Sequence, residues 1–308
     1  MGKMKILITG AKGFIGKNLL ELLQKNDDYE LFTITKTKFK LGREKNFTCD
    51  LRETKLLNKI LSEIKPDVII HLAAVGVKYG QGNLKDIFDI NSFSIINIAE
   101  ICKEIKIKPK FIVAGSGYEY KIIDRPLKEN DCLNPLSLYG ISKATQSLLL
   151  KRYADIFTIF LLRFFSVYGK YEPEHRIFPY IINQIIENKE VNLTGCEQIR
   201  DYLHVFDIAQ AIDRFIKKEE KNGFFDFNIA SGKGYLLKEI VMMISKYLEN
   251  YGYEPKINFG TLPYRNDEPM YYVADISKVK NYIPWKPTIS METGIKMMIE
   301  EKINEYKR

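Results

Sequence analysis

The stretch MKILITGAKGFIG, residues 4–16, decides the fold. An apolar run of strand type is followed by three glycines, each three residues after the last, and then by a helical pattern. Glycines at such a turn let backbone N–H groups approach a phosphate at the helix N-terminus, where the helix dipole stabilises an anion. A tight turn also needs glycine without any ligand, so the triplet alone is a weak signal. Because it follows the first strand, we expect the pyrophosphate of a dinucleotide to bind at Gly10, Gly13, Phe14, Ile15 and Gly16.

Strand-type runs alternate with helical patterns along the first half of the chain. We predict strands at 4–9, 30–35, 68–71, 110–114 and 158–162, separated by helices at 14–24, 53–64, 83–106 and 138–153. This order is typical of an α/β fold with a doubly wound parallel Rossmann sheet.

The regular pattern ends near Gly169, after which prolines interrupt the sequence repeatedly. We therefore predict a smaller, discontinuous α/β domain for substrate binding. The predicted division assigns residues 1–168 and 203–232 to the Rossmann domain and residues 169–202 and 233–308 to the substrate domain.

Composition excludes several classes of protein. The chain has 308 residues, of which 45% are hydrophobic, so it can bury a large core and is not expected to be disordered. It has no run of eighteen apolar residues and no signal-peptide pattern, so we expect a soluble, cytoplasmic protein with no membrane partner. The four cysteines lie far apart without a C-x-x-C pair, which disfavours a metal site and disulfide bonds.

The formal net charge of +8 indicates an anionic partner, but the lysines are scattered and no basic run is interleaved with aromatic residues. We therefore expect no nucleic-acid binding. Phosphate-bearing small molecules, and nucleotides above all, fit the same charge.

The end of the second strand bears on the choice of cofactor. A carboxylate that binds the ribose of NAD often stands there, yet this chain has Thr35 and Lys36. A threonine followed by a lysine suits a 2′-phosphate, so the sequence favours NADP(H), with NAD(H) as the alternative. Lys36 and Lys38 could equally be solvated side chains of a lysine-rich chain.

Beyond the glycine turn, the chain resembles the NAD-dependent epimerase/dehydratase family, the extended branch of the short-chain dehydrogenases, over nearly its whole length. The matching segments are 50–51, 71–74, 111–116, 139–143 and 162–169. The resemblance implies that the cofactor also contacts Asp50, Leu51, Leu72, Ala73 and Ala74.

Ser116, Tyr139 and Lys143 form the predicted catalytic group, as the resemblance implies. Tyr139 and Lys143 are four residues apart on a helix and share one face. An ammonium beside a phenol favours the phenolate and lowers its pKa, so Tyr139 would exchange a proton with a sugar hydroxyl or ketone. Lys143 would also hold the nicotinamide ribose, and Ser116 would donate a hydrogen bond to the same substrate oxygen.

The second half resembles the family's substrate segments. Arg200 and Arg265 match arginines that bind a substrate diphosphate, for which forked guanidinium donors are suited. A pair of surface arginines is the alternative. Ser166 stands where relatives often have a phosphate-contacting asparagine, and Arg176 is a third candidate for the phosphates. We expect His204 to be structural.

Three functions remain open. The sequence favours an NADPH-dependent reductase of the 4-keto group of a nucleotide-linked, 6-deoxy sugar, serving glycan precursor biosynthesis. The alternative is a sugar-nucleotide 4-epimerase that retains tightly bound NAD. A catalytically silent redox sensor is disfavoured by the intact catalytic group. In each case we expect a homodimer.

A dehydratase is disfavoured by the residues that follow Ser116. Sugar-nucleotide 4,6-dehydratases of the family carry an acidic pair there, whereas this chain has Gly117 and Tyr118. Glu119 would have to reach the substrate from one residue further along.

Overall fold

The computed structural model describes residues 2–76, 82–265 and 268–306. In chain order its strands and α-helices are β1 (Met4–Thr9), α1 (Phe14–Leu23), β2 (Tyr29–Thr35), β3 (Lys45–Thr48), α2 (Thr54–Ile64), β4 (Val68–His71), α3 (Leu84–Phe88), α4 (Ser94–Glu104), β5 (Lys110–Ser116), α5 (Leu138–Leu150), β6 (Thr158–Phe164), β7 (Ser166–Tyr168), α6 (Ile177–Ile186), β8 (Glu190–Asn192), β9 (Ile199–Arg200), β10 (Tyr202–His204), α7 (Val205–Lys217), β11 (Gly223–Ile229), β12 (Tyr235–Leu236), α8 (Leu237–Glu249), β13 (Lys256–Asn258), β14 (Tyr271–Tyr272), α9 (Ser277–Tyr282) and α10 (Met291–Tyr306).

A seven-stranded sheet forms the centre of the protein, with the strand order β11-β6-β5-β4-β1-β2-β3. Every neighbouring pair in it is parallel. The predicted Rossmann fold is therefore confirmed. The strand order reverses between β1 and β4, and in such sheets the ligand crevice lies at that point, outside the carboxyl ends of the strands.

The strands of the sheet have uninterrupted runs of apolar residues, because the sheet is covered on both faces. In β1, Ile6 and Ile8 pack into the core on one face and Leu7 packs into the core on the other, all fully buried. A third apolar core joins α6, α8 and α10. The domain boundaries drawn from the sequence stay a prediction.

Two details differ from the predicted elements. The helix predicted at 83–106 is continuous from Leu84 to Glu104, but it contains a wider π-helical turn, Asp89–Phe93, between α3 and α4. This wider turn carries Asn91. Its buried side chain forms hydrogen bonds with the backbone of Val75 and with the hydroxyl of Ser142. The edge strand β3 is short and only partly buried, so its sequence carried little strand signal.

Candidate active site

The glycine turn is required by backbone packing alone. Gly10 has a φ of 73°, and a Cβ there would stand 2.5 Å from the backbone of Leu72 and Ala73. A Cβ on Gly16 would overlap the Gly10 carbonyl oxygen. Gly13 is the N-cap of α1, and no side chain among the described residues caps this helix end. The first N–H groups of α1 are thus left for an anion, which fits the pyrophosphate of a dinucleotide.

A cavity of about 820 Å³ extends from this turn across the ends of the parallel strands. All the sequence-predicted cofactor and catalytic residues line it, as does Arg176. Ser166, Arg200 and Arg265, although described, are not among its lining residues. The fold therefore brings together residues from the first 176 positions of the chain and leaves three predicted substrate residues outside the cavity.

At the β2 end of the cavity, Thr35 is already engaged. Its hydroxyl donates to the Thr37 carbonyl at 2.8 Å and accepts from Asn46 Nδ2 at 2.7 Å. Lys36 is 73% exposed and lies 3.4 Å from the Asp50 carboxylate. The predicted use of Thr35 and Lys36 for a 2′-phosphate therefore has little support, because the hydroxyl has internal partners and the ammonium faces a carboxylate.

Asp50 lines the cavity, but its carboxylate is held by Arg52. The guanidinium donates to both carboxylate oxygens, at 2.9 and 2.6 Å. This pairing keeps the pKa of Asp50 well below its usual range. Lys12, in the glycine turn, donates to the Thr37 hydroxyl at 2.9 Å and adds a cation beside the same end of the cavity.

Ser116 and Tyr139 are brought together at the end of β5. Ser116 begins a 3₁₀ turn, Gly117–Glu119, and its side chain accepts from the N–H of Tyr118. Tyr139 lies on α5 and shares a hydrogen bond with Ser116. Lys143, one turn further along α5, donates to Gln146 Oε1 at 2.8 Å and is almost fully buried. The serine, the phenol and the ammonium therefore face the same cavity.

In the protein without cofactor the pKa of Tyr139 is raised, whereas the sequence led us to expect that Lys143 would lower it. Burial raises the pKa of Tyr139 to about 12, the charge of Glu119 adds to the rise, and the Ser116 hydrogen bond and Arg176 oppose it. Burial also lowers the pKa of Lys143 to about 8. The cost of burying each charged form thus exceeds the attraction of nearby opposite charges.

Sequence reasoning missed the ion pair beneath this site. Glu119 is fully buried and accepts from the Ser116 N–H at 2.8 Å, the Ser147 hydroxyl at 2.7 Å and Arg163 Nε at 2.9 Å. Arg163 also binds Asp226 at 2.7 Å. The Glu119 carboxylate therefore holds the backbone of Ser116 in place. An arginine inside the apolar strand β6 was the available signal, since a buried charge needs a partner.

Two further buried polar residues support the site. Asn91 Nδ2 donates to the Val75 carbonyl and to the Ser142 hydroxyl, both at 2.9 Å. Because Ser142 lies on α5 beside Lys143, Asn91 fixes this helix against the edge of the cavity. His71 is fully buried, with Thr9 Oγ1 at 2.8 Å from Nδ1. Burial lowers its pKa to about 3, and the charge of Lys143 contributes.

Arg200 and Arg265 both contact Glu268. Arg200 is buried and pairs with Glu268 through Nη2, while Arg265 donates to the other carboxylate oxygen at 2.9 and 2.7 Å. Arg200 Nη1 is buried and bonds no other described residue. The two guanidinium groups thus converge, from β9 and from the segment before β14, on one carboxylate, and their predicted role in binding a diphosphate stays a prediction.

A stack of three rings lies between Arg200 and the cavity. Tyr272 is stacked between Tyr118 and Phe165, with ring centroids at 4.9 and 4.7 Å, and both outer rings line the cavity. Arg200 lies against Tyr272, with its Cζ 5.8 Å from the ring centroid.

Ser166, the third predicted substrate residue outside the cavity, lies on β7 and donates its backbone N–H to the Asp201 carbonyl at 3.1 Å.

Of the two remaining histidines, one is buried at a helix end and the other lines the cavity. His204 is buried, and its Nδ1 accepts from the Phe206 N–H at 3.3 Å at the start of α7, which agrees with the structural role expected. His175 lines the cavity. Across the described parts of the chain, no group of His, Cys, Asp and Glu side chains is arranged to hold a metal ion. Within the same ranges, no helix is long and apolar enough to cross a membrane.

Comparison with known proteins agrees with this geometry. Residues 6–230 match the family described as the NAD dependent epimerase/dehydratase family. An uncharacterized UDP-glucose epimerase of Bacillus subtilis, YtcB, is 30% identical over 95% of this chain and 96% of its own length. The GDP-6-deoxy-D-talose 4-dehydrogenase of Aggregatibacter actinomycetemcomitans is 26% identical over 91% of each chain.

A solved structure is similar over almost the whole length. The UDP-glucuronic acid 4-epimerase of Bacillus cereus, in complex with UDP-glucuronic acid and NAD, superposes with a TM-score of 0.88 and 27% identity, covering 98% of this chain and 100% of the other. The chain belongs to the NAD-dependent epimerase/dehydratase family and is an enzyme that acts on sugar nucleotides.

Proposed function

We propose that the protein is a sugar-nucleotide 4-epimerase that works with a retained NAD. The observation that carries the proposal is the meeting of Ser116, Tyr139 and Lys143 in one cavity with the glycine turn. The similar proteins support it, because several of them are named as 4-epimerases of UDP-glucuronate and one as a 4-dehydrogenase. This was the alternative in the sequence analysis, and we now prefer it to the 4-ketoreductase.

In the proposed mechanism, Tyr139 takes the proton of the C4 hydroxyl and later returns it. Bound NAD supplies a reversible hydride acceptor for C4. Ser116 donates a hydrogen bond to the same oxygen, and Lys143 holds the cofactor ribose and contributes positive charge. Because burial raises the pKa of Tyr139 to about 12 in the protein by itself, proton transfer near neutral pH would require the further positive charge of a bound, oxidised nicotinamide to lower it.

NAD is the proposed cofactor rather than NADP. The engaged hydroxyl of Thr35 and the carboxylate of Asp50 beside Lys36 disfavour a 2′-phosphate at this end of the cavity. Bacillus cereus UDP-glucuronic acid 4-epimerase, which is similar in structure, was solved with NAD. In addition to the lining residues of the glycine turn, the proposed cofactor contacts are Thr35, Lys36, Asp50, Leu51, Leu72, Ala73, Ala74 and Lys143.

The proposed substrate is a UDP-linked hexose or hexuronate. Arg200 and Arg265 would release Glu268 and take the diphosphate, because two phosphates offer more acceptor oxygens than one carboxylate. Arg176, which lines the cavity near Tyr139, and Ser166 would then lie on the sugar side.

A 4-ketoreductase is the second candidate, since a named 4-dehydrogenase is similar over 91% of this chain. The decisive experiment incubates the purified protein with UDP-glucose, UDP-glucuronate or a 4-keto-6-deoxy sugar nucleotide, with NADPH, NADH or no added cofactor. NMR identifies the products. An epimerase equilibrates the C4 epimers without added cofactor, whereas stoichiometric consumption of NADPH with the keto substrate alone would contradict the proposal.

We also propose a homodimer formed through α5. Ile141 and Leu148 lie seven residues apart on this helix and are 39% and 56% exposed. Phe93, the residue directly before α4, is 44% exposed. Apolar side chains repeated on one helix face suit a second copy of the same face. Light scattering on the wild type and on Leu148→Glu tests this, because the charge should shift the protein towards monomer.

A further inference from the structure

The segment 169–176, here called the strap, joins β7 to α6 and lines the cavity through Pro173, His175 and Arg176. It therefore borders the same space as the glycine turn, although more than 150 residues separate the two in the sequence. The contacts between the strap and helix α1 are expected to affect how slowly a bound dinucleotide is released. On the function proposed above, that dinucleotide is a retained NAD.

One face of α1 is turned to the strap. Phe14, Lys17, Asn18 and Glu21 are spaced i, i+3, i+4 and i+7, so they share a side of the helix. Asn18 Nδ2 donates to the Lys170 carbonyl at 2.8 Å. Lys17 Nζ lies 4.8 Å from the ring centroid of Tyr171.

At the N-terminal end of this face, beside the glycine turn, the strap reaches Phe14. Arg176 Cζ lies 5.8 Å from the Phe14 ring centroid. Arg176 Nε is 3.3 Å from Glu172, which is buried within the strap. The strap is therefore attached along two turns of α1, from the pyrophosphate end onward.

Glu21 makes the strongest of these contacts. Its carboxylate accepts from Lys170 Nζ at 2.9 and 3.1 Å and from the Tyr171 hydroxyl at 2.5 Å. Tyr171 has a φ of 67°, a left-handed conformation that is unfavourable for a bulky residue. Two charge-assisted bonds to one carboxylate are suited to hold the strap in this strained conformation.

We infer that Glu21, through Lys170 and Tyr171, is a positioning residue that retains the dinucleotide. A pyrophosphate at the N-terminus of α1 would lie beside the strap residues that line the same cavity, Pro173, His175 and Arg176, so we expect separation of the strap from α1 to speed its release. Slow release suits an epimerase, because the hydride returns to the sugar and the cofactor ends each cycle unchanged. A reductase instead has to exchange its cofactor at every turnover.

The test measures the release of NAD⁺, in the absence of substrate, from wild type, Glu21→Gln, Lys170→Met and the double variant. Each protein is loaded with NAD⁺ and desalted, and the dinucleotide that stays bound is followed by chromatography. Glu21→Gln should release NAD⁺ about tenfold faster, as expected for loss of a partly exposed charge-assisted bond. The double variant should be little faster than Glu21→Gln, because both changes break the same interaction.

Glu30→Gln is the matched control. It breaks a partly exposed ion pair away from the strap, between Glu30 on β2 and Lys45 on β3 at 2.8 Å, and should release NAD⁺ at the wild-type rate. At saturating NAD⁺, Glu21→Gln should keep the wild-type turnover and the wild-type KM for the sugar nucleotide, a split that general damage to the fold would not give.

Release at the wild-type rate from a folded Glu21→Gln protein, with an unchanged thermal midpoint, would overturn the inference. If Glu21→Gln fails to fold, Tyr171→Phe replaces it, because this change removes only the hydroxyl that donates to Glu21. Its NAD⁺ release rate is then compared with that of the wild type, and an unchanged rate would overturn the inference. Failure of the proposed function is distinguishable: the wild type would then need added NADPH and would epimerise nothing, while the ratio of release rates would still report on the strap.

Discussion

The phenolic oxygen of Tyr272 occupies the place that a side chain on residue 117 would take. A Cβ built on Gly117 overlaps that oxygen and comes within 3.0 Å of Phe165. Tyr272 cannot easily move, because it is stacked between two rings and only 1% exposed. A residue from β14 thus determines that the position after Ser116 is glycine.

Gly117→Ala should therefore destabilise the protein, by about 1–3 kcal/mol, since overpacking forces buried groups off their preferred positions. Denaturant unfolding measures the loss. Tyr272→Phe in the same chain should recover part of it, because it removes the overlapping oxygen. Equal losses with and without Tyr272→Phe would show that the two positions do not interact.

Dehydration of a 6-hydroxy sugar nucleotide should not occur. The positions after Ser116 carry no carboxylate, and the nearby Glu119 is fully buried in its bonds to Arg163, Ser147 and the Ser116 backbone. Loss of water needs an acid and a base at the substrate. Formation of a 4-keto-6-deoxy product, detected by NMR, would contradict this reasoning.

Tyr139→Phe should lower turnover by about 10²–10⁴, the usual contribution of a positioned acid–base group, while NAD binding stays nearly intact. Steady-state kinetics and cofactor titration separate the two effects. Lys143→Met should impair both, because Lys143 also holds the ribose in the proposed mechanism. A Tyr139→Phe enzyme with wild-type turnover would eliminate the proposed proton transfer.

Arg200→Ala should raise the KM for the sugar nucleotide much more than the apparent Kd for NAD. The arginine lies outside the cofactor cavity, and one of its buried nitrogens bonds no other described residue. Initial rates at varied substrate and varied NAD give both constants. Glu268→Gln is a useful companion, since it weakens the internal competitor for the guanidinium and should lower the KM or leave it unchanged.

Acid should destabilise the protein partly through His71. Burial and the charge of Lys143 hold its pKa at about 3, below the value of about 6.5 for an unfolded histidine. Because the unfolded chain binds more protons in this interval, the contribution of His71 is complete above about pH 6.5 and is lost as the pH falls towards 3.

The measurement is the free energy of unfolding of wild type and His71→Gln between pH 7 and pH 4. Stability of the wild type should fall more steeply with acid than that of the variant. A comparison of variants is needed because burial raises the pKa of Glu172 to about 7 and that of Asp201 to about 6, which acts in the opposite direction. Parallel curves would show that His71 does not titrate on unfolding.

Local patterns in the sequence were sufficient to predict the fold, the glycine turn and the catalytic face of α5. The alternation of strands and helices determined the parallel sheet, the glycine spacing determined the turn, and the spacing of four between Tyr139 and Lys143 placed both on one face of α5. Each of these follows from backbone periodicity or from the lack of a side chain, which depend on neighbours in the chain.

Only the tertiary structure decided the contacts between distant residues. Tyr272 against Gly117, Arg163 against Glu119 and Lys170 against Glu21 join positions 155, 44 and 149 residues apart, and no local pattern specifies which distant side chain fills a given space. The same holds for the pKa of Tyr139. The sequence places a cation one turn away, but the depth of burial, which the packing of the whole chain sets, determines the direction of the shift.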